Sequence, residues 1–237
     1  MERLDKILAN TGRWSRKEVR ELVRAGRVSV DGVVARTPKE KHDPGAWFQV
    51  GGQTISGERL VYLMLHKPAG LVSATEDPRE PTVLSLLPQH LQRVGLFPAG
   101  RLDKDTEGLL LLTNEGGLAH DLLSPRHHVD KVYYARTDGT LDEEDSRAFA
   151  AGMTLEDGLV CQPAGLEVLS TGPAGSEVLV TLREGKFHQV KRMLAARGAP
   201  VRYLKRVKMG NLTLDPTLAP GEYRYLTETE LEELRNF

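Results

Sequence analysis

The chain has 237 residues, 40% of them apolar and 27% charged, and a formal net charge of −1. That is ordinary globular composition, enough for one large domain or for one large and one small. No apolar run approaches the roughly 18 residues of a membrane span, and the charged start Met1-Glu2-Arg3-Leu4-Asp5 lacks the apolar core of a secretory signal, so a soluble, cytoplasmic protein is expected. The lone Cys161 excludes an internal disulfide framework and, by itself, a Cys-based metal site. Between Val160 and Gln162 it is expected to be a packed thiol on a strand.

Leu4, Ile7 and Leu8 have helical spacing, and Ser15 with Glu18 forms a capping box that opens a second helix ending at Gly26. On that helix Val19, Leu22 and Val23 make an apolar stripe, while Arg16, Arg20 and Arg24 recur every four residues on another face. Val28-Ser29-Val30, Asp31-Gly32 and Val33-Val34 predict a hairpin with a primed turn. From Thr37 to Gly57, Gly, Pro and charge dominate, and an irregular edge and linker are expected. Over residues 1–27, eight basic residues (3, 6, 13, 16, 17, 20, 24, 27) face four acidic ones (2, 5, 18, 21). Two helices followed by a hairpin, with R-L-D-K at Arg3 to Lys6 and V-x-V-D-G at Val28 to Gly32, resemble the RNA-binding module named after small-subunit ribosomal protein S-four. The resemblance implies an RNA-binding domain with its linker over residues 1–57. It would dock on RNA phosphates through Arg3, Lys6, Arg16, Lys17, Arg20 and Arg24.

Residues 58–237 read as a larger module. Val61 to Leu65 is a strand and Lys67-Pro68-Ala69-Gly70 a turn. Thr82 caps a short helix ending by Pro88, Leu109 to Leu112 is a strand, and a helix surrounds Leu118 to Leu123. Val129 to Arg136 and Glu177 to Leu182 are strands, and the acidic run 142–145 sits where a helix dipole favours it. Phe187 to Arg197 is expected to be a helix ended by Gly198, with Phe187, Val190, Met193 and Leu194 toward the core. Val201 to Leu214 gives one or two further strands, and Thr227 with Glu230 caps a last acidic helix. Strands outnumber helices without alternating with them, so the class is α+β: a small αα-hairpin domain followed by a mixed, mainly antiparallel sheet domain. From Arg183 to Lys208 nine basic residues (183, 186, 191, 192, 197, 202, 205, 206, 208) meet one acidic, Glu184. Two such segregated patches on a near-neutral chain are an electrostatic footprint for a polyanion.

The loop Gly100-Arg101-Leu102-Asp103-Lys104-Asp105-Thr106-Glu107-Gly108 sets two carboxylates against the leucine strand, which costs desolvation unless they are paired. Plain turn residues are the bland alternative. A calcium loop counted from Asp103 would need Glu at its twelfth position, where Asn114 stands. An aspartyl phosphatase would carry its strand before the Asp pair, not after it. His127, His128 and His188 lack metal-site spacing and are assigned to RNA contact or core, so no metal is expected.

Several stretches follow in order: Lys67-Pro68-x-Gly70, the G-R-L-D loop, Ser124-Pro125-Arg126-His127-His128 ahead of Lys131-x-Tyr133, His188-Gln189-Val190-Lys191-Arg192-Met193, and Leu218-Ala219-Pro220-Gly221-Glu222-Tyr223. In that order, behind the S-four-like module, they resemble the RNA pseudouridine synthases. The S-P-R-H-H form is similar to the Rsu-type branch, which modifies a uridine in small-subunit (16S) rRNA; branches acting on 23S rRNA share the G-R-L-D loop. The resemblance implies that Asp103 attacks the nucleotide, at C1′ or at C6. It puts the basic residue after the G-x-x-x-Q run on Lys191. Adjacent helical residues point about 100° apart, so only one of Lys191 and Arg192 faces the carboxylate; Lys191 is favoured, and Arg192 goes to RNA. The K-x-Y pattern lands on Tyr133 as the base platform, with Tyr134 facing the other side of the strand. Arg101 reaches toward RNA or braces the loop, and Leu204 lines the uracil pocket. The reaction is an isomerisation in which nothing is oxidised, so no cofactor is expected. The expected partner is 16S rRNA or a small-subunit assembly intermediate, met by a monomer without a membrane. The alternatives are a synthase of 23S rRNA and a non-catalytic ribosome-assembly factor that binds RNA.

Overall fold

The computed structural model describes residues 1–11, 13–57, 60–92, 95–124 and 127–236, in two compact units, Met1–Leu60 and Val61–Phe237. In the first unit β1 (Glu2–Arg3) leads into α1 (Leu4–Asn10), and α2 (Arg16–Arg24) follows. The Glu18 amide donates to Ser15 Oγ at 3.3 Å and the Ser15 amide to Glu18 Oε2 at 2.6 Å, so two otherwise orphaned donors at the start of α2 are satisfied reciprocally. Val19 and Val23 of α2 pack with Leu4, Ile7 and Leu8 of α1 in one core, which leaves Arg16, Arg20 and Arg24 exposed. Strands β2 (Val28–Val30) and β3 (Val33–Val34) pair antiparallel. Asp31 and Gly32 between them have φ of 50° and 80°, the two positive values that a primed two-residue turn requires.

The segment expected to be an irregular linker is folded. It carries β4 (Lys41–His42), β5 (Trp47–Val50) and β6 (Gln53–Ser56). β4 pairs with β1, and the hairpin extends into the four-stranded sheet β3-β2-β5-β6. Phe48, Val50 and Ile55 point into the core, and burying a side chain such as Phe48 is worth roughly 1.5–3 kcal/mol. Pro44-Gly45 and Gly51-Gly52 are turns that bracket short strands; they punctuate the sheet rather than replace it.

The second unit contains β7 (Tyr62–Lys67), a 3₁₀ turn (Val83–Leu86), α3 (Gln89–Gln92), β8 (Phe97–Pro98), β9 (Glu107–Thr113), α4 (Gly116–Leu123) and β10 (Lys131–Thr137). Then come α5 (Glu143–Ala151), β11 (Met153–Thr154), β12 (Val160–Cys161), β13 (Gly165–Gly172), β14 (Gly175–Leu182) and α6 (Gln189–Ala196). β15 (Val201–Met209), β16 (Leu212–Thr213), β17 (Tyr223–Tyr225) and α7 (Glu228–Arg235) complete it. The main sheet runs β13-β14-β10-β15-β9-β7-β17, with β16 on β15 and β8 on β9. Among the described residues, only the pairing of β9 with β15 in this sheet is parallel, so the domain is α+β with a mainly antiparallel sheet.

The leucines of β9 are buried on both faces: Leu109 and Leu111 join one core cluster, Leu110 and Leu112 another. A strand covered on both sides reads as a continuous apolar run, which is why these four leucines show no alternation. Asp142 and Asp145 form the capping box of α5, and Thr227 with Glu230 caps α7. Cys161 is a buried free thiol on β12.

Two local expectations are corrected. Thr82 sits at the cap position of the 3₁₀ turn without a capping hydrogen bond; its hydroxyl donates to the Thr75 carbonyl at 3.4 Å instead. Phe187 is outside α6 and 74% exposed, whereas Val190, Met193 and Leu194 are buried. Strands β13 and β17 have no counterpart in the sequence reading. Among the described residues, no helix is long and apolar enough to cross a membrane.

Candidate active site

The G-R-L-D loop is held from beneath by Lys67, the last residue of β7. Its side chain is fully buried, and Nζ donates to the carbonyls of Pro68 (3.0 Å), Asp103 (3.1 Å), Lys104 (3.2 Å) and Thr106 (2.8 Å). A buried ammonium must find acceptors, and here three of the four belong to the loop's own backbone. Burial pushes the Lys67 ammonium down to about 8, against the opposing charges of Asp105 and Asp103. Ser73 adds a second tether: its Oγ donates to the Leu102 carbonyl at 3.0 Å and accepts from the Leu102 amide at 3.1 Å. Gly108 ends the loop at φ 105°. A Cβ there would lie 2.2 Å from the Arg206 carbonyl oxygen, so only glycine lets β9 and β15 approach at this register.

From this platform the Asp103 carboxylate faces the start of α6. Lys191 Nζ lies 3.0 Å from Asp103 Oδ2 and 2.5 Å from Asp105 Oδ1. Burial draws the Lys191 ammonium down, but its hydrogen bonds to Asp105 and Asp103 outweigh that and hold it above its ordinary value. The same hydrogen bond holds the Asp105 carboxyl below the usual carboxylate range. His188 Nε2 lies 3.6 Å from Asp103 Oδ1. Asp103 thus has a cation on one oxygen and an imidazole near the other, and its side chain remains 28% exposed.

The exposed edge of Asp103 opens into a small, half-open cavity whose wall includes Arg101, Thr106, Tyr133, Lys191 and Leu204. Five residues expected at the site therefore meet in one place: Asp103, Lys191, Tyr133, Arg101 and Leu204. Tyr133 lines this cavity, whereas Tyr134 packs edge-on against Tyr203 with ring centroids 6.1 Å apart. Arg192 turns away from the carboxylate and pairs with Asp157 at 2.5 Å. The motif Ser124 to His128 is only partly visible here, because Pro125 and Arg126 lie outside the described residues.

His188 and Thr106 belong to the site although the sequence reading did not place them there. Thr106 Oγ1 is buried in the cavity wall without a hydrogen-bond partner among the described residues. The available signal was proximity: Thr106 follows Asp103 by three residues, and His188 precedes Lys191 by three. Among the described residues, no group of three or more His, Cys, Asp or Glu side chains could hold a metal ion.

In the first unit the expected RNA-binding residues divide into two groups. Arg3 donates to Asp5 Oδ1 at 3.0 Å and to Oδ2 at 2.7 Å, and Arg20 reaches Oδ2 at 3.3 Å. Lys6 pairs with Glu2 at 3.2 Å. Arg16, Lys17 and Arg24 are exposed and make no ion pair among the described residues.

A family model described as RNA pseudouridylate synthase matches residues 61–196, and one described as S4 domain matches residues 2–47. Over 233 residues, the chain is 49% identical to an uncharacterized RNA pseudouridine synthase, YtzG, of Bacillus subtilis, covering 98% of both chains. It is 41% identical to the ribosomal small subunit pseudouridine synthase A of Escherichia coli (strain K12), covering 97% of this chain and 98% of that one. A solved structure described as a pseudouridylate synthase superposes with a TM-score of 0.70 at 35% identity, covering 99% of this chain and 100% of that one.

Proposed function

The chain belongs to the RNA pseudouridylate synthase family, and from that premise we propose that it converts one uridine of small-subunit (16S) rRNA to pseudouridine with Asp103 as the nucleophile. The observation that carries the reading is the Asp103–Lys191 pair at 3.0 Å, open on its free edge to a cavity walled by Tyr133 and Leu204. The 16S target rests on the relatives named ribosomal small subunit pseudouridine synthase A.

The reaction needs a uridine drawn out of its stack, a carboxylate kept ionised beside it and an aromatic face for the base. Lys191 places its ammonium 3.0 Å from the Asp103 carboxylate and balances its charge without covering its free edge. Asp103 attacks at C1′ or at C6. Either way the N1–C1′ bond breaks, the uracil turns, the C5–C1′ bond forms, the bond to Asp103 breaks to return its carboxylate, C5 loses its proton and N1 gains one. Tyr133 and Leu204 sandwich the uracil while it turns, and Arg101 holds the strand at the cavity mouth. Residues 58–237 carry the chemistry; residues 1–57 dock the RNA, chiefly through Arg16, Lys17 and Arg24, while Arg3 and Arg20 also brace α1 against α2 through Asp5.

The test is pseudouridine mapping on unmodified 16S and 23S rRNA fragments, and on a partly assembled small subunit, with wild type and with Asp103→Asn. One new site in 16S rRNA that the variant does not form, at unchanged RNA affinity, is the expected result. A site in 23S rRNA alone would correct the target and keep the chemistry. Modification surviving Asp103→Asn would overturn the nucleophile, and binding without modification of any of these RNAs would favour a non-catalytic assembly factor.

A further inference from the structure

Beside the cavity stands an aromatic ring that the isomerisation itself does not use. Phe187 is 74% exposed, and its ring lies on that of His188 with centroids 3.8 Å apart and planes 19° from parallel. One face of Phe187 is thus covered by imidazole and the other is open. His188 occupies the left-handed region at φ 51°, ψ 30°, an uncommon conformation for a residue with a side chain. That backbone turn starts α6 one residue later and keeps Phe187 out of the helix's apolar face. The stack stands next to the proposed nucleophile, since the same His188 ring lies 3.6 Å from Asp103.

The recess beside Phe187 is walled by Leu155, Ala195, Ala196 and Arg192, with Glu156 and Asp157 on its rim. Asp157 already neutralises Arg192 at 2.5 Å, and Glu156 adds a further negative charge. Such a recess repels a phosphate and accepts a flat, neutral, apolar-faced group. Extruding one nucleotide leaves its neighbours without a stacking partner, and aromatic side chains are the usual replacement for that lost stack in single-stranded RNA.

We propose that the Phe187–His188 stack is a binding platform for the nucleobase next to the target uridine in the same RNA strand. The proposal rests on the synthase reading above. The neighbouring base lies on the open face of Phe187, its stacking offsets part of the cost of extrusion, and the His188 contact sets its distance from Asp103. Phe187 is on this view a substrate-binding residue that touches RNA but not the reacting atoms.

The experiment uses the full chain and an rRNA fragment carrying the mapped uridine, in three forms: intact, and abasic on the 5′ or the 3′ side of that uridine. Wild type is compared with Phe187→Ala, Phe187→Leu and Phe187→Trp. Phe187→Ala and Phe187→Leu are expected to lower kcat/KM about tenfold on intact RNA, the size of one base–aromatic stack, while Phe187→Trp retains activity. An abasic nucleotide on one flank should lower wild-type kcat/KM to the same degree and add nothing to Phe187→Ala, the signature of two groups that act on each other. Full activity of Phe187→Leu, an additive abasic effect, or no abasic effect in wild type would each overturn the platform while leaving the synthase reading standing. A wild type that converts no uridine at all would instead sink the synthase reading and the platform with it.

Discussion

Asp5 and Asp103 are each a single carboxylate with two nitrogen-bearing side chains beside it, one in either unit of the chain. The Asp5 side chain has no exposure and the Asp103 side chain keeps 28%. Around Asp5 the partners are guanidinium groups: Arg3 takes both carboxylate oxygens and Arg20 shares one of them. Around Asp103 they are one ammonium at 3.0 Å and one imidazole at 3.6 Å, with a cavity on the remaining side. A guanidinium fork saturates a carboxylate geometrically, whereas an ammonium is a point charge that neutralises it and leaves its edge free. A carboxylate with basic neighbours is therefore a closed brace in one unit and open to a cavity in the other, as the proposed nucleophile must be, and the choice of partner together with access separates the two.

The sharpest way to break that comparison is to make one substitution at both positions. If Asp103 is the nucleophile proposed above, Asp103→Asn should lower single-turnover conversion at least about a thousandfold, with no change in thermal midpoint. Asp5→Asn should do the opposite, costing about 2 kcal/mol of stability by leaving a buried amide among guanidinium groups, with unchanged turnover per folded molecule. Acid adds a second reading of Asp5. Burial raises its carboxyl, but hydrogen bonds from Arg3 and Arg20 outweigh that and hold it below the ordinary 3.8. The folded state thus binds its proton later than the unfolded one, and the stabilisation is full above pH 3.8 and lost as pH falls through the lowered value. Asp5→Asn should flatten that acid limb in a pH series of thermal melts; an identical limb in wild type and variant would refute the brace.

Lys67 extends the comparison to the backbone under Asp103. With its ammonium at about 8 rather than 10.5, alkali converts a three-proton donor into a two-proton one beneath four carbonyls, and the loop loses tethers. Conversion should fall severalfold as pH rises through about 8. Between about 8 and 10.5 the unfolded chain binds the extra proton, so on proton counting this group's contribution to stability rises with pH. Activity and stability should therefore part in that window. Turnover that holds level while the protein stays folded, or that falls only as the protein unfolds, would show that Lys67 does not govern the loop.

How much was legible follows the same physics. Asp103, Tyr133 and Lys191 were singled out by the resemblance of the G-R-L-D loop, the K-x-Y strand and the G-x-x-x-Q run; strand alternation and the 100° helical step said only that one of each neighbouring pair faces the cleft, and in the structure Tyr134 packs on Tyr203 and Arg192 pairs with Asp157. His188 and Phe187 could not be read, because apolar spacing marks residues 187–194 as one helical stripe and carries no sign of the left-handed turn that ends it at His188. The strands between residues 41 and 56 were hidden for a related reason: four-residue strands between Gly and Pro turns show too few alternations to register. The Lys67 cage was legible only as the motif K-P-x-G, since its four acceptors are backbone carbonyls and any sequence offers those.

The smallest effect expected is also the one that tests whether the Asp5 cluster is closed to RNA. Arg16, Lys17 and Arg24 are exposed cations with no carboxylate at ion-pair distance among the described residues, so a phosphate that binds one releases a counterion. Arg16→Ala or Lys17→Ala should weaken RNA binding a few-fold and reduce the slope of log affinity against log salt by roughly 0.7–0.9, with the thermal midpoint unchanged. Arg20 is tied to Asp5, which it shares with Arg3, at 3.3 Å, and a phosphate arriving there would have to compete with a buried carboxylate. Arg20→Ala should therefore lower stability and leave the salt slope nearly intact. An Arg20→Ala slope that drops as far as that of Arg16→Ala, at unchanged stability, would mean that the Asp5 cluster opens to RNA and that the two carboxylates differ less than their geometry says.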